Sequence, residues 1–275
     1  MLNAADVWFG YDAHKPVLRG VSLTIPADGL VGILGPNGSG KTTLLRLLSG
    51  TRRPQRGTVT IDGQPLPRFS RTALARRMAI VPQETHLAFD YSVAEVAMMG
   101  RYPHLGAFEI EGPSDVALIE GALASTGTLH LKDRSFATLS GGEKQRVVIA
   151  AALAQLKHEG YEGGEGYEGY LLLDEPTASL DLGYQLEVAD LLKKLHESRR
   201  AAIVISTHDL GLAGTLCERL LLVRDGAVVA EGPTDAVLTP ENVQAVYGVE
   251  ADILRHSSGH RVVVPVKRVD GRPRA

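Results

Sequence analysis

The chain has a single cysteine, Cys217, among 275 residues, so an intramolecular disulfide is impossible. That thiol follows an apolar helical pattern, Leu210 to Leu216, and fits a buried structural cysteine rather than a reactive one. No uninterrupted apolar run approaches the ~20 residues of a membrane-spanning helix. The start, Met1-Leu2-Asn3-Ala4-Ala5-Asp6, has no basic segment followed by an apolar one, so secretion is not expected. Positive charge is not in excess: 29 Lys and Arg stand against 32 Asp and Glu, for a net charge of −3. Bulk charge therefore gives nucleic-acid binding no support. His14, His86, His104, His130, His158, His196, His256 and His260 are scattered without ligand spacing and read as structural or solvated. What is present is 44% apolar residues, enough for a packed core in one large domain or two small ones.

The most informative stretch is Gly35-Pro36-Asn37-Gly38-Ser39-Gly40-Lys41-Thr42, which fits G-x-x-x-x-G-K-[ST]. A chance match in a chain this long is roughly one in a hundred. Its surroundings are right too. Gly29 to Leu34 is an apolar run that reads as a buried strand, and Thr43-Leu44-Leu45-Arg46-Leu47-Leu48 reads as a helix start. Glycines let successive N–H groups curl toward phosphate oxygens. The helix N-terminus adds partial positive charge beneath them. Lys41 would reach the β- and γ-phosphates, and the Thr42 hydroxyl would coordinate Mg²⁺.

Around this stretch the pattern is α/β. Val7-Trp8-Phe9 and Val21 to Ile25 read as antiparallel strands. Tyr11 follows Gly10 in a loop, where it either stacks on adenine or is an ordinary turn tyrosine. Thr58 to Ile61 is a strand ending in an Asp62-Gly63 turn. Arg71 to Arg77 is a short helix whose basic face reads as solvated. Met78 to Val81 is a strand that delivers Gln83 to its end, where ligands gather in parallel sheets. From about Thr85 to Leu156 helical patterns take over: Val93 to Met99, Ser114 to Thr126 and Gly141 to Leu156. Ser114-Asp115 offers capping chemistry at one start, and Gly127 closes that helix.

Leu139-Ser140-Gly141-Gly142-Glu143 opens the last of these helices. Such a turn is a good helix start and also a second anion-binding end. Glu159 to Tyr170 is a tandem Glu-Gly-Tyr repeat that cannot pack a core and reads mostly as a mobile surface loop. Metal binding through its Glu and Tyr oxygens is the lesser alternative. Leu171-Leu172-Leu173-Asp174-Glu175 is a buried strand ending in two acids. Asp174 suits Mg²⁺, and Glu175 suits a base that activates water. Their alternative is to cap the helix that follows Ser179-Leu180-Asp181. Gly183 to Arg199 is an amphipathic helix with Leu186, Val188, Leu191, Leu192 and Leu195 apolar. Ala202 to Ile205 is a buried strand leading to His208, which is placed to meet a γ-phosphate or attacking water. A hairpin over Arg219 to Ala230, two short helices over Thr234 to Leu238 and Pro240 to Tyr247, and a terminal hairpin near Ile253 to Val264 complete the reading. Lys267 to Ala275 is a basic, frayed tail.

These residues, in this order, resemble the ATP-binding subunits of ABC transporters over nearly the whole chain. Tyr11 matches the adenine-stacking aromatic, Gly35–Thr42 Walker A and Gln83 the Q-loop. Leu139–Gln145 matches the signature, Leu171–Glu175 Walker B, Ser179–Asp181 the D-loop, and His208 the switch histidine. The resemblance implies a P-loop NTPase fold of the ABC nucleotide-binding type: a RecA-like core, an antiparallel β subdomain and a helical subdomain. It divides the chain into an ATPase domain over 1–248, with core 1–84 and 157–248 and helical part 85–156, and a small hairpin with basic tail over 249–275. It implies ATP and Mg²⁺ as ligands, and hydrolysis of ATP to ADP and phosphate. Lys41, Glu175 and His208 would be catalytic. Tyr11, Gly35 to Thr43, Gln83, Ser140, Gly141 and Gly142 would bind nucleotide. Thr42, Gln83 and Asp174 would surround Mg²⁺, and Asp181 would serve the dimer as the D-loop.

With one Walker A per chain, it further implies a homodimer in which each triphosphate is covered by the partner's Ser140 and Gly142. A separate permease dimer would dock near Gln83 and the Arg101–His104 segment, with a substrate-binding protein acting indirectly. The cassette would lie on the cytoplasmic face of the membrane. Met99-Gly100-Arg101-Tyr102-Pro103-His104 and Leu180 to Gln185 are similar to the importer branch for iron chelates, haem and cobalamin. The terminal Tyr247-Gly248-Val249-Glu250 with its Val-rich strand resembles the haem importers. Ferric siderophore or cobalamin import is the alternative. A soluble ABC-type ATPase acting on DNA or ribosomes is the alternative of another class.

Overall fold

The computed structural model describes residues 1–12, 15–85, 87–156, 169–178, 180–197, 201–257 and 259–269. Two compact units divide the chain, Met1–Leu66 with Val204–Ala275, and Pro67–Ile203.

The first unit opens with β1 (Leu2–Phe9) and β2 (Leu18–Ile25), antiparallel partners. Their burial alternates: Leu2, Ala4, Val7 and Phe9 point inward from β1, and Leu18, Val21, Leu23 and Ile25 from β2. This is the pattern of a sheet with one face on a core and one in water. β3 (Leu30–Leu34) differs, because all five residues are buried. The phosphate-loop sequence follows and leads into α1 (Lys41–Leu48). β4 (Arg56–Ile61) pairs with β1, and β5 (Gln64–Pro65) returns on β4 through the left-handed pair Asp62 (φ 51°) and Gly63 (φ 77°).

The second unit begins with α2 (Arg71–Ala75) and β6 (Met78–Val81). The helix expected over Arg71 to Arg77 is shorter, and its basic face is solvated at Arg71 and Arg77, which are exposed, while Arg76 is half-buried. Arg76 and Arg77 fall beyond the helix. Arg76 Nε donates to the Pro103 carbonyl at 2.8 Å, and Arg77 lies over the Phe69 ring. The helical stretch then runs through α3 (Val93–Met98), a 3₁₀ helix (Met99–His104), α4 (Pro113–Ser125) and α5 (Gly141–Leu156). α4 starts one residue earlier than its Ser-Asp signal, with Gly112 as the cap residue. Asp115 still serves, since its carboxylate accepts from the Gly112 N–H at 3.1 Å. Gly127 (φ 68°) closes the helix as expected.

β7 (Gly169–Asp174) is parallel to β6. Tyr170, the last residue of the Glu-Gly-Tyr repeat, is buried at the start of this strand, and its N–H donates to the Arg77 carbonyl. The rest of the repeat, 159–168, lies outside the described residues apart from Gly169. α6 (Leu182–Glu197) buries Val188, Leu191 and Leu192. Leu186 does not join them; it is 59% exposed. The expected end of this helix at Arg199 lies outside the described residues.

β8 (Ala201–Thr207), buried throughout, straddles the division of the chain. Strand order is β10-β9-β3 in the first unit and β7-β6 in the second. In the first unit α7 (Leu210–Leu216) precedes β9 (Arg219–Arg224) and β10 (Ala227–Pro233). β9 is parallel to β3 and antiparallel to β10, so the sheet is mixed. The continuous apolar runs of β3, β7, β8 and β9 are what strands covered on both faces require. α8 (Thr234–Val237) and α9 (Pro240–Tyr247) lead to a separate hairpin, β11 (Val249–Arg255) with β12 (Arg261–Arg268). Lys267 and Arg268 belong to β12 rather than to a frayed tail; residues 270–275 lie outside the described residues. Cys217 is buried, and burial pushes its thiol far above the ordinary range. Among the described residues, no helix is long and apolar enough to cross a membrane.

Candidate functional site

In the first unit the loop between β3 and α1 has no room for a side chain at Gly35 or Gly40. A Cβ on Gly35 would sit 2.2 Å from the Val223 carbonyl oxygen and 2.6 Å from Ser39 Oγ. Gly38 (φ 79°) and Gly40 (φ 106°) take the left-handed backbone that only glycine adopts without strain. The loop is fixed from behind, because the Gly226 N–H donates to the Ser39 carbonyl at 3.2 Å. Lys41 is 5% exposed, and its Nζ donates to the carbonyls of Gly35 (3.0 Å) and Pro36 (3.3 Å). The amine therefore lies along the rim of the loop. Ser39 Oγ is buried with no protein partner. An orphaned hydroxyl in a glycine cradle at a helix start fits an oxyanion ligand. α1 has no acid in its first turn and no side-chain cap.

Tyr11 is exposed by 57% and is nevertheless held. Its hydroxyl lies 3.4 Å from Thr43 Oγ1 and accepts from Arg46 at 3.0 Å, and its ring meets Phe9 edge-on at 5.1 Å. The Thr43 hydrogen bond, with help from Arg46, holds its phenol below the ordinary range. A fixed, exposed ring is what base stacking needs. Spacing alone did not choose between that role and a turn residue. The arginine one helical turn into α1 is the part sequence reasoning missed.

His208 stands exposed one residue past β8. Its backbone is anchored on both sides. The Asp209 N–H donates to Thr207 Oγ1 at 3.0 Å, and the Asp209 carboxylate caps α7 by accepting from Gly211 and Leu212.

In the second unit Gln83 is exposed just past β6. Asp174 is the last residue of β7 and 8% exposed. Glu175 follows with φ 46°, a left-handed backbone that costs a non-glycine residue of order 1 kcal/mol or more. The Ala178 N–H donates to its carbonyl, so the strain sits inside a closed turn. Nothing in the sequence announced it. Residues held this way cluster where chemistry is done.

Ser140, Gly141 and Gly142 form the start of α5. The Ser140 N–H donates to the Glu143 carboxylate at 2.8 Å, and the Glu143 N–H donates to Ser140 Oγ at 3.3 Å. This reciprocal cap was legible in the S-x-x-E spacing. The Ser140 N–H, then its hydroxyl, hold the Glu143 carboxyl below the usual range. Asp181 caps α6, accepting from the Tyr184 N–H at 3.0 Å. Ser179 lies outside the described residues.

The Arg101–His104 segment is largely buried in the second unit, with Tyr102 as its exposed member. Arg101 is 1% exposed, paired with Asp115 at 2.8 Å, and donates to the Ala154 carbonyl. His104 Nε2 lies 2.8 Å from the Gln155 carbonyl. Of this segment only Tyr102 is largely exposed, at 57%. Beside it a cavity of about 480 Å³ is lined by Tyr91, Met98, Met99, Tyr102 and Ile119, with Glu95 and Glu111 among its acids. Among the described residues no three His, Cys, Asp or Glu side chains converge as a metal cluster. Within the second unit Gln83 and Asp174, at the ends of β6 and β7, carry oxygen donors of the kind a hard cation takes.

Comparison with known proteins gives one family and several relatives. The family described as ABC transporter matches residues 18–178. The chain is 43% identical over 246 residues to the hemin import ATP-binding protein of Bordetella avium, covering 88% of this chain and 90% of that one. It superposes on a solved inward-facing metal-chelate type ABC transporter with TM-score 0.80 and 28% identity, over 96% of each chain. It also superposes on a dimeric bacterial ABC transporter cassette with TM-score 0.71 and 27% identity, over 85% of this chain and 99% of that one.

Proposed function

The chain belongs to the ABC transporter family, and on that premise we propose that it is the ATP-hydrolysing subunit of a haem (hemin) importer. The observation that carries the reading is the loop over Gly35 to Thr42: a crowded glycine cradle, a buried hydroxyl without a partner, and a lysine folded along its rim. The haem assignment is supported by the 43% identity to the hemin import protein of Bordetella avium.

In this reading Lys41 leaves its carbonyl partners for the β- and γ-phosphates. Ser39 and the loop N–H groups bind phosphate oxygens, and Tyr11 stacks on adenine. Glu175 orients water and draws its proton, while His208 hydrogen-bonds the γ-phosphate. Thr42, Gln83 and Asp174 would hold Mg²⁺, which when bound neutralises phosphate charge. The signature turn of a second copy, Ser140 to Gly142, covers the triphosphate, which makes the working form a homodimer with two shared sites. Closure is favoured by ATP over ADP, because only ATP carries the γ-phosphate that the partner's turn grips.

Residues 85–156 form the helical part of the ATPase domain, with 1–84 and 157–248 as its core and 249–275 as a small appendage. The helical part meets a separate permease at the membrane's cytoplasmic face. The cavity beside Tyr102 and the 74% exposure of Phe89 support that placement, because both offer apolar surface to a partner. A substrate-binding protein acts through the permease.

Two experiments test the reading. Glu175→Gln binds ATP without turnover and accumulates as a dimer in size-exclusion chromatography; a variant that stays monomeric at saturating ATP overturns the shared site. Uptake by the reconstituted importer, measured with haem, ferric siderophore and cobalamin in parallel, tests the substrate. Transport of either alternative in preference to haem overturns the haem assignment and leaves the ATPase standing.

A further inference from the structure

The starts of α5 and α6 are packed against each other, and one side chain makes the joint. A Cβ on Gly142 would lie 2.3 Å from Cδ1, 2.5 Å from Cγ and 2.9 Å from Cβ of Tyr184. No other residue is among its three nearest neighbours. The Tyr184 ring therefore covers the second residue of α5 so closely that only glycine fits beneath it. Leu180 adds a second contact, its Cδ2 lying 3.4 Å from the Cβ position of Gly141. One turn further along each helix, Arg146 pairs with Glu187 at 2.8 Å.

Tyr184 is itself fixed. It is the third residue of α6, and its N–H is the one that Asp181 caps. The next residue reinforces the turn, because Gln185 Nε2 donates to the Leu180 carbonyl at 3.0 Å. So the residue that caps α6, the ring on its first turn and the Ser140–Gly142 turn form one packed block. Gly142 is needed for space, in addition to any need to expose its N–H.

We infer that Tyr184 is a positioning residue for ATP clamping: its ring sets the orientation of the Ser140–Gly142 turn and ties that turn to Asp181. This rests on the shared-site reading above. A pre-set turn binds its ligand without first being ordered, and removing such a restraint weakens binding more than it slows the chemistry that follows. Because Asp181 rides on the same turn as the ring, a pull on the signature turn by the partner's triphosphate moves both together.

The test uses the full chain carrying Glu175→Gln, with ATP as the titrant and dimer fraction by light scattering as the readout. Tyr184→Phe keeps the ring and leaves the ATP midpoint unchanged. Tyr184→Ala raises it about tenfold, the effect of losing one ordered contact of this size. In the chain with Glu175 intact, Tyr184→Ala raises the KM for ATP by a similar factor and changes kcat by less than about twofold. Gly142→Ala alone abolishes ATP-dependent dimerisation, and adding Tyr184→Ala restores part of it. Tyr184→Leu, which keeps apolar bulk without the flat ring, is carried in parallel and shifts the midpoint in the same direction should the alanine variant not fold. An unchanged midpoint in a folded Ala or Leu variant overturns the inference, even if its melting temperature falls. If the Glu175→Gln parent itself fails to dimerise with ATP, the shared-site reading fails and this inference falls with it.

Discussion

Replacing Arg101 by alanine tests whether one buried ion pair holds the helical stretch together. Its guanidinium is almost fully enclosed, with Nε on Asp115 at 2.8 Å and Nη1 on the Ala154 carbonyl at 2.8 Å. Asp115 also accepts the Gly112 N–H at the start of α4. One arginine thus ties the 3₁₀ helix, α4 and α5 together. Arg101→Ala strands the Asp115 carboxylate and leaves the Ala154 carbonyl short of a donor. Breaking a buried pair from one side costs about 3–5 kcal/mol. That lowers the melting temperature by about 10 °C or more in a unit of this size. Arg101→Met with Asp115→Leu removes both charges and fills the space. It gives up the α4 cap, about 1 kcal/mol, and little else. Urea unfolding followed by circular dichroism measures all three chains. The stranded-charge reasoning predicts that the double variant is more stable than Arg101→Ala. A single variant within about 1 kcal/mol of the parent would refute it. So would a double variant no more stable than Arg101→Ala.

Three further outcomes follow from the same geometry. Burial pushes the Asp115 carboxyl up, but the Arg101 guanidinium and the Gly112 N–H outweigh it and hold it below its ordinary 3.8. Its stabilising contribution is therefore complete above about pH 4 and is lost as pH falls through the depressed value, which acid titration of unfolding detects as a steeper loss in the parent than in the double variant. Tyr11→Ala weakens ATP binding by about tenfold, since base stacking contributes about 1–3 kcal/mol, whereas Tyr11→Phe loses only the Thr43 and Arg46 contacts and weakens it less; fluorescence titration with an ATP analogue separates the two. Gly35→Ala places a methyl 2.2 Å from the Val223 carbonyl, so it abolishes ATP binding while circular dichroism shows the second unit's helices retained.

Most of the frame was legible in the sequence, because its elements obey local rules. β3, β7 and β8 are unbroken apolar runs, and α5 carries its own S-x-x-E cap. What local rules missed was set by packing. Leu186 has the right spacing for the buried stripe of α6, yet it lies beyond the edge of what that helix covers. α4 begins at Pro113 because proline suits a first helical turn, so the cap moved to Gly112 even though Ser114 is the better capping residue.

The candidate site divides the same way. Gly38 and Gly40 could be read from the motif, because their left-handed backbone is a local property of the loop. The crowding at Gly35 could not, since its obstacle, Val223, is 188 positions away in the chain. Glu175 makes the sharper case. Its residue type and place after an apolar strand pointed to water activation, whereas its strained backbone is imposed by the turn that follows. That backbone persists because the closed turn from Glu175 to Ala178 over-determines it, so under the role proposed above the main chain that carries the base needs no ordering when substrate binds.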